Sequence, residues 1–320
     1  MIKNSDSSKI LFWGTSEFAI PSLDALIQAG YSISGVVTTP DKPAGRKQLL
    51  TPPPVKVLAE SKKIPVYQPE ILKSAGSTLE LPEADLFVVA AYGKIIPKAI
   101  IGKPRLGALN IHPSLLPRWR GPSPIQFTIL SGDAETGITI IEMDELMDHG
   151  PIVASSKFKM KNAKITYPKL HDALAGEGAK FLVETLPKWI SGEIKPMPQD
   201  ESKVTFSKIL KKEDGRIDWK KAAEEIERQI RAFVPWPGSW TMWPQDDRQH
   251  RIRIDEAEAA SEHAAHGSPG FVFQSAKNPL CIQTGKGALL VRRLTIEGSS
   301  SQNAETFLRG YKDAVGGAFI

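Results

Sequence analysis

A single cysteine, Cys281, occurs in 320 residues, which rules out an internal disulfide or a cysteine-based zinc cluster and suits a reducing cytoplasm. No apolar run reaches the length of a membrane span, and the short polar leader Met1–Lys9 lacks the pattern of a secretory signal, so a cytoplasmic protein without a membrane partner is expected. The turn after the first apolar segment has no Gly-x-Gly-x-x-Gly, and no Walker A sequence occurs, so neither a dinucleotide nor ATP is indicated by motif. Charge is nearly balanced: 41 Lys and Arg against 36 Asp and Glu leave +5, which fits an anionic partner without proving one. His263 and His266 share an Ala/Glu-rich loop with no further Cys or His to complete a site, so no metal is expected.

What the chain does have is α/β patterning. Ile10–Trp13 reads as a buried strand, Phe18–Ala29 as a helix closed by Gly30, and Ile33–Thr38 as a second strand. Leu86–Ala90, Ala108–His112 and Gly137–Met143 continue the pattern, predicting an α/β, Rossmann-like, mostly parallel sheet with ligands beyond the carboxyl ends of its strands. Tyr167–Trp189 is helical in pattern, with Leu170, Leu174, Phe181, Leu182 and Leu186 on one stripe, and closes a first domain over 1–190. Residues 191–207 have linker composition. After a helix at Ala222–Phe233, short β-like pieces at Arg251–Ile254, Gly270–Gln274, Leu280–Thr284 and Ala288–Thr295 predict a small OB-like β-barrel in a second domain, 208–320.

Two segments carry chemistry. Asn110 and His112 share parity on one strand and therefore one face, and Pro113 biases His112 toward an extended backbone. The loop Glu145–Pro151, leaving the strand Gly137–Met143, presents acids, Asp148 among them. An amide donor, an imidazole and a carboxylate are the parts needed to move an acyl group onto an amine. A loop from Thr38 to Pro54, stiffened by five prolines, carries Lys42, Arg46 and Lys47 as phosphate contacts or as solvated charge.

The Asn110-x-His112 pair, the Ser114-Leu115-Leu116-Pro117 loop and Asp148 resemble the folate-dependent formyltransferases. Trp13–Ala19, Thr38–Arg46, Ala91–Pro97, Arg118–Gly121, Arg216–Trp219 and Arg231–Ser239 are similar to the branch acting on methionyl-tRNA, so the resemblance covers nearly the full chain. It implies that a formyl group passes from 10-formyltetrahydrofolate to methionyl initiator tRNA, with Asn110, His112 and Asp148 catalytic, and that the protein is a monomer. It implies folate contacts at Val89, Tyr92, Gly93, Ile95, Ser114, Leu115, Leu116 and Pro117, with Asp144 behind them. Gly14, Thr15 and Ser16 would floor an aminoacyl cleft, and the Lys42, Arg46 and Lys47 loop would meet the acceptor arm. For Val88–Pro97 the plain alternative is a buried strand and turn. A formyltransferase acting on an amino-sugar nucleotide is the rival reading, and a tRNA-binding module with a vestigial trio is a third. The chain departs from the family at Pro113 and at His149, which either perturbs Asp148 or points to solvent.

Overall fold

The computed structural model describes residues 8–45, 47–72, 80–160, 164–245, 248–260, 266–276 and 278–320. Two compact units result, one from residues 1–124, 135–160 and 171–208, the other from 125–134, 161–170 and 209–320.

In chain order the elements to residue 190 begin with β1 (Lys9–Gly14), α1 (Ile20–Gln28), β2 (Ser32–Val37), a hairpin of β3 (Lys42–Ala44) and β4 (Leu49–Thr51), α2 (Pro54–Ser61) and β5 (Val66–Tyr67). They continue with β6 (Leu86–Ala90), α3 (Lys98–Ile101), β7 (Ala108–His112), α4 (Pro124–Ser131), β8 (Glu135–Glu142), β9 (Ile152–Lys159) and α5 (Tyr167–Ile190). The first unit is a seven-stranded sheet ordered β5-β2-β1-β6-β7-β8-β9. Its centre is apolar on both faces: Ile10, Leu11, Phe12 and Trp13 of β1 have no exposed surface, as expected of a strand covered on each side. Trp189 at the end of α5 donates its indole N–H to the Leu106 carbonyl at 2.9 Å, fixing that helix beside the start of β7.

The first five strands of that order are mutually parallel, as predicted, but β8 runs antiparallel to β7 and β9 antiparallel to β8. The sheet is thus mostly parallel, as expected, with Gly137–Met143 lying in its antiparallel part. Antiparallel pairing sets Glu142, the last residue of β8, opposite Leu109 near the start of β7. The loop from Met143 to Pro151 must therefore fold back for Asp148 to reach the side chains of β7.

Residues 191–207, expected as a linker, contribute structure to the first unit. Met197 and Ile152 exchange backbone hydrogen bonds of 2.7 and 2.9 Å, Arg120 donates its N–H to Thr205 at 2.9 Å, and Ser207 donates to Arg120 at 2.7 Å. Buried backbone groups of two loops find their partners there, which linker composition does not reveal.

The second unit holds α6 (Ala223–Phe233), β10 (Ser239–Gln245), β11 (Arg248–Ala260), β12 (Val272–Ser275), β13 (Asn278–Gln283), β14 (Ala288–Ile296), β15 (Gln302–Asn303) and α7 (Ala304–Gly310). Its antiparallel sheet is ordered β10-β11-β14-β13-β12, with β15 on β14. The end of the chain bonds to both outer strands: Met242 and Ile320 exchange bonds of 2.9 and 2.8 Å, while Gly316, Gly317 and Phe319 pair with Val272 and Gly270. That bridging satisfies the edges an open sheet would leave bare. Trp243 fills the interior, edge-on to Phe307 and Tyr311 at 5.7 and 5.4 Å. Among the described residues no helix is long and apolar enough to cross a membrane.

Candidate active site

The three polar side chains singled out from positions 110, 112 and 148 meet in the first unit. Asn110 Nδ2 donates to Asp148 Oδ1 at 3.2 Å, and His112 Nδ1 lies 3.4 Å from the same oxygen. The other carboxylate oxygen accepts the Gly121 backbone N–H at 2.8 Å. The His112 side chain is only 4% exposed and that of Asp148 14%, so the pair interacts with little solvent screening. Burial disfavours the charged imidazole, but the Asp148 carboxylate and the hydrogen bonds to both ring nitrogens outweigh it and raise the His112 pKa above its ordinary value. Burial likewise opposes the Asp148 charge, yet the imidazolium, the Gly121 N–H and Arg120 together lower that carboxyl's pKa.

The two ring nitrogens of His112 have different partners. Nε2 lies 2.9 Å from the Trp119 carbonyl oxygen, which can only accept, so Nε2 carries a proton and Nδ1 is the nitrogen that titrates toward Asp148. Neither ring N–H is left over. Among the described residues, Asn110 Nδ2 is shown bonded to Asp148 Oδ1, which engages one of its two N–H groups.

The backbone around the trio is held in costly conformations. Trp119 and Asp148 both have positive φ, 61° and 50°, as does Ala91 at 44°, an arrangement that side-chain-bearing residues keep only when their surroundings over-determine it. Gly121, at φ 108°, passes so close to the Ser207 carbonyl that a Cβ would collide with it. Gly150 is similarly obligatory, because a Cβ there would strike the Glu142 carbonyl oxygen.

The residues read as folate contacts divide into two sets. Ser114 is fully buried and donates its hydroxyl to the Arg118 carbonyl at 2.5 Å, so its side chain closes the loop on itself. Thr139, opposite His112 on β8, continues this bracing by donating to the Ser114 carbonyl at 2.7 Å and accepting the Leu116 N–H at 3.1 Å. Leu116 is buried, Leu115 and Pro117 are half-buried, and the Leu116–Pro117 peptide is cis. Val89 and Tyr92 belong to the core around Trp13; the Tyr92 hydroxyl has no hydrogen-bond partner among the described residues, and its burial pushes its pKa up to about 12. Gly93 and Ile95 are the exposed members, Ile95 at 78%.

Asp144 organises the loop before Asp148, accepting the Leu146 N–H at 2.9 Å and holding His149 Nδ1 at 2.6 Å. His149 thus points neither at Asp148 nor simply to solvent. Its partner is Asp144, with Glu201 at 3.7 Å from Nε2. Gly14 is buried at the end of β1, and Thr15 donates to the Tyr92 carbonyl at 2.7 Å, joining the loops after β1 and β6; Ser16 is exposed. Lys42 and Lys47 are exposed on the β3–β4 hairpin, whose base is anchored by Asp41 against Lys56 and Gln68; Arg46 lies outside the described residues. No group of three or more His, Cys, Asp or Glu able to hold a metal occurs among the described residues, and His263 lies outside them.

Sequence reasoning missed the groups that frame the trio: the Trp119 carbonyl, the Gly121 N–H, Arg120, Thr139 and Gln199. In sequence, Arg118–Gly121 carries only the family resemblance. Backbone partners leave no residue-type signal, but a buried arginine next to an obligatory glycine is a pattern that could have been weighed.

A mostly parallel sheet that brings an amide and an imidazole to one carboxylate oxygen, followed by a small antiparallel β unit, fits acyl transfer, and the chain belongs to the formyl transferase family. Residues 8–186 match that family's formyl transferase domain and residues 209–312 its C-terminal domain. The chain is 48% identical over 284 residues to the methionyl-tRNA formyltransferase of Chloroflexus aggregans, covering 88% of this chain and 90% of that protein. It is 43% identical over 309 residues to the methionyl-tRNA formyltransferase of Marinobacter nauticus, covering 96% and 97%. Among solved structures, the sugar 3N-formyl transferase WlaRD, crystallised with dTDP and 5-N-formyl-THF, shares the fold at a TM-score of 0.63 and 19% identity, covering 92% of this chain and all of that one. HypX from Aquifex aeolicus in complex with tetrahydrofolic acid does so at 0.61 and 20%, covering 97% of this chain and 48% of that one.

Proposed function

We propose that this protein transfers the formyl group of 10-formyltetrahydrofolate to the α-amino group of methionine carried by initiator tRNA, in the cytoplasm, as a monomer. The observation that carries the chemistry is the shared Asp148 oxygen that both Asn110 and His112 approach. Near-full-length identity of 43–48% to methionyl-tRNA formyltransferases supports the acceptor.

The roles follow from charge. The neutral amine attacks the formyl carbon, and negative charge develops on the formyl oxygen. Asn110 offers that oxygen its other N–H, and the His112 imidazolium, kept charged by Asp148, stabilises it through the field rather than through a free ring donor. Asp148 takes the proton that the amine must lose, directly or through a water. As the intermediate collapses, the new C–N bond remains, the bond to the folate nitrogen breaks, and that nitrogen takes up a proton. On the folate side, the exposed Gly93–Ile95 turn and the backbone of the 114–117 loop offer an apolar face and polar edge groups to a flat heterocycle. Lys42, Arg46 and Lys47 meet the phosphates of the acceptor arm.

The test is a transfer assay with a labelled formyl donor and, in parallel, methionyl initiator tRNA or an amino-sugar nucleotide. Label on the tRNA-borne methionine supports the proposal. Label on the sugar alone, or on neither, overturns it.

A further inference from the structure

We infer that Gln199 is a positioning residue for the transfer: its side-chain amide holds the Asp148 carboxylate against His112. Gln199 lies between the two spans that match the family, 8–186 and 209–312, in the stretch whose composition suggests only a linker. It is buried, and every polar group of its side chain is committed. Nε2 donates to the Asp148 carbonyl and to the Gly150 carbonyl, each at 2.8 Å, while Oε1 accepts from Arg120 Nε at 3.0 Å.

Those contacts tie together both loops that form the site. On one side stands Asp148, whose positive φ aims its carboxylate at His112 and which has no glycine's freedom to hold that shape alone. On the other stands Arg120, between Trp119, whose carbonyl receives the His112 ring N–H, and Gly121, whose N–H reaches Asp148 Oδ2. Arg120 is itself clamped by Glu201 at 2.6 and 3.3 Å, and Thr205 Oγ1 accepts the Trp119 N–H at 2.9 Å. One segment thus braces both walls, and Gln199 is the side chain that joins them. Buried amide donors without replacement are costly to lose, so the Asp148 backbone is expected to relax when they go.

The inference rests on the reading that Asp148 acts in the transfer, so the experiment carries a separate control for it. Gln199→Glu keeps size and the contact to Arg120 but removes both donors; Gln199→Leu removes all three bonds. Each full-length variant is assayed with methionyl-tRNA and 10-formyltetrahydrofolate, its thermal unfolding is recorded, and the His112 ring is titrated by NMR. The Glu variant is expected to fold and to lose about 10²-fold in kcat. Both KM values should stay within about twofold of the parent. The His112 midpoint should move to lower pH, because a displaced carboxylate no longer favours the imidazolium. Should Gln199→Leu fail to fold, Gln199→Glu decides. Parental kcat in the Glu variant while Asp148→Asn is inactive overturns the inference, as does a kcat loss with an unmoved His112 midpoint, which marks general damage. Parental turnover in Asp148→Asn removes the carboxylate from the reaction and takes the inference with it.

Discussion

Asp148 Oδ1 stands 3.2 Å from Asn110 Nδ2 and 3.4 Å from His112 Nδ1, so one carboxylate oxygen orients an amide and charges an imidazole at once. An amide in its place keeps the shape and loses the charge. Asp148→Asn should lower kcat by about 10² to 10⁴-fold. Substrate KM values should barely change, since the lost interaction belongs to the transition state. Steady-state kinetics with each substrate varied in turn while the other is saturating checks both statements.

The same pair predicts a pH dependence of stability. The His112 pKa is raised above 6.5, so its contribution is fully present below pH 6.5 and is lost as pH rises through the folded-state value. The Asp148 pKa is lowered below 3.8, so its contribution is fully present above pH 3.8 and is lost as pH falls through the folded-state value. The stability gap between parent and a His112→Gln variant should therefore be widest between those two ordinary values and shrink on the alkaline side. Denaturant unfolding of both proteins across pH 4 to about 9 measures it, and a gap that grows with alkalinity would contradict the assignment.

Asn110 Nδ2 engages Asp148 Oδ1 with one of its two N–H groups. Asn110→Ala should cost about 10² to 10³-fold in kcat, the range seen when one preorganised oxyanion donor is removed. Retention of most of the parental rate would shift that duty elsewhere.

Gly121→Ala tests the backbone. Position 121 has a φ of 108° and no room for a Cβ beneath the Ser207 carbonyl, so the variant should lose about 1–3 kcal/mol of stability. Its turnover should fall as well, because the 121 N–H holds Asp148 Oδ2. Chemical denaturation followed by kinetics separates the two effects.

Lys47→Ala and Arg46→Ala should each weaken productive binding of tRNA and reduce the salt slope of its KM by about one, without altering the KM for folate. A folate effect of equal size would argue that the hairpin acts on the whole unit.

How much of this was legible in sequence depended on whether the signal was local. Parity puts Asn110 and His112 on one face, and β6 and all of β1 after Lys9 are continuous buried runs, so both are read directly. The direction of β8 is not, because Thr136 to Ile141 is buried throughout, and such a run looks the same whether the neighbour is parallel or antiparallel. The hairpin within the proline-rich loop is hidden by composition, since among the described residues β3 and β4 form a two-stranded sheet of their own. Gln199 and Thr205 were hidden differently. Polar residues among prolines read as linker, and their value lies in backbone atoms far away in sequence.

The central claim is that His112 and Asp148 act as one unit on the formyl transfer. Single-turnover rates for the parent, His112→Gln, Asp148→Asn and the double variant test it most directly. The account predicts that each single change removes most of the rate and that the double variant is no slower than the slower single. Losses that multiply in the double variant, or near-parental rates in either single one, would contradict it.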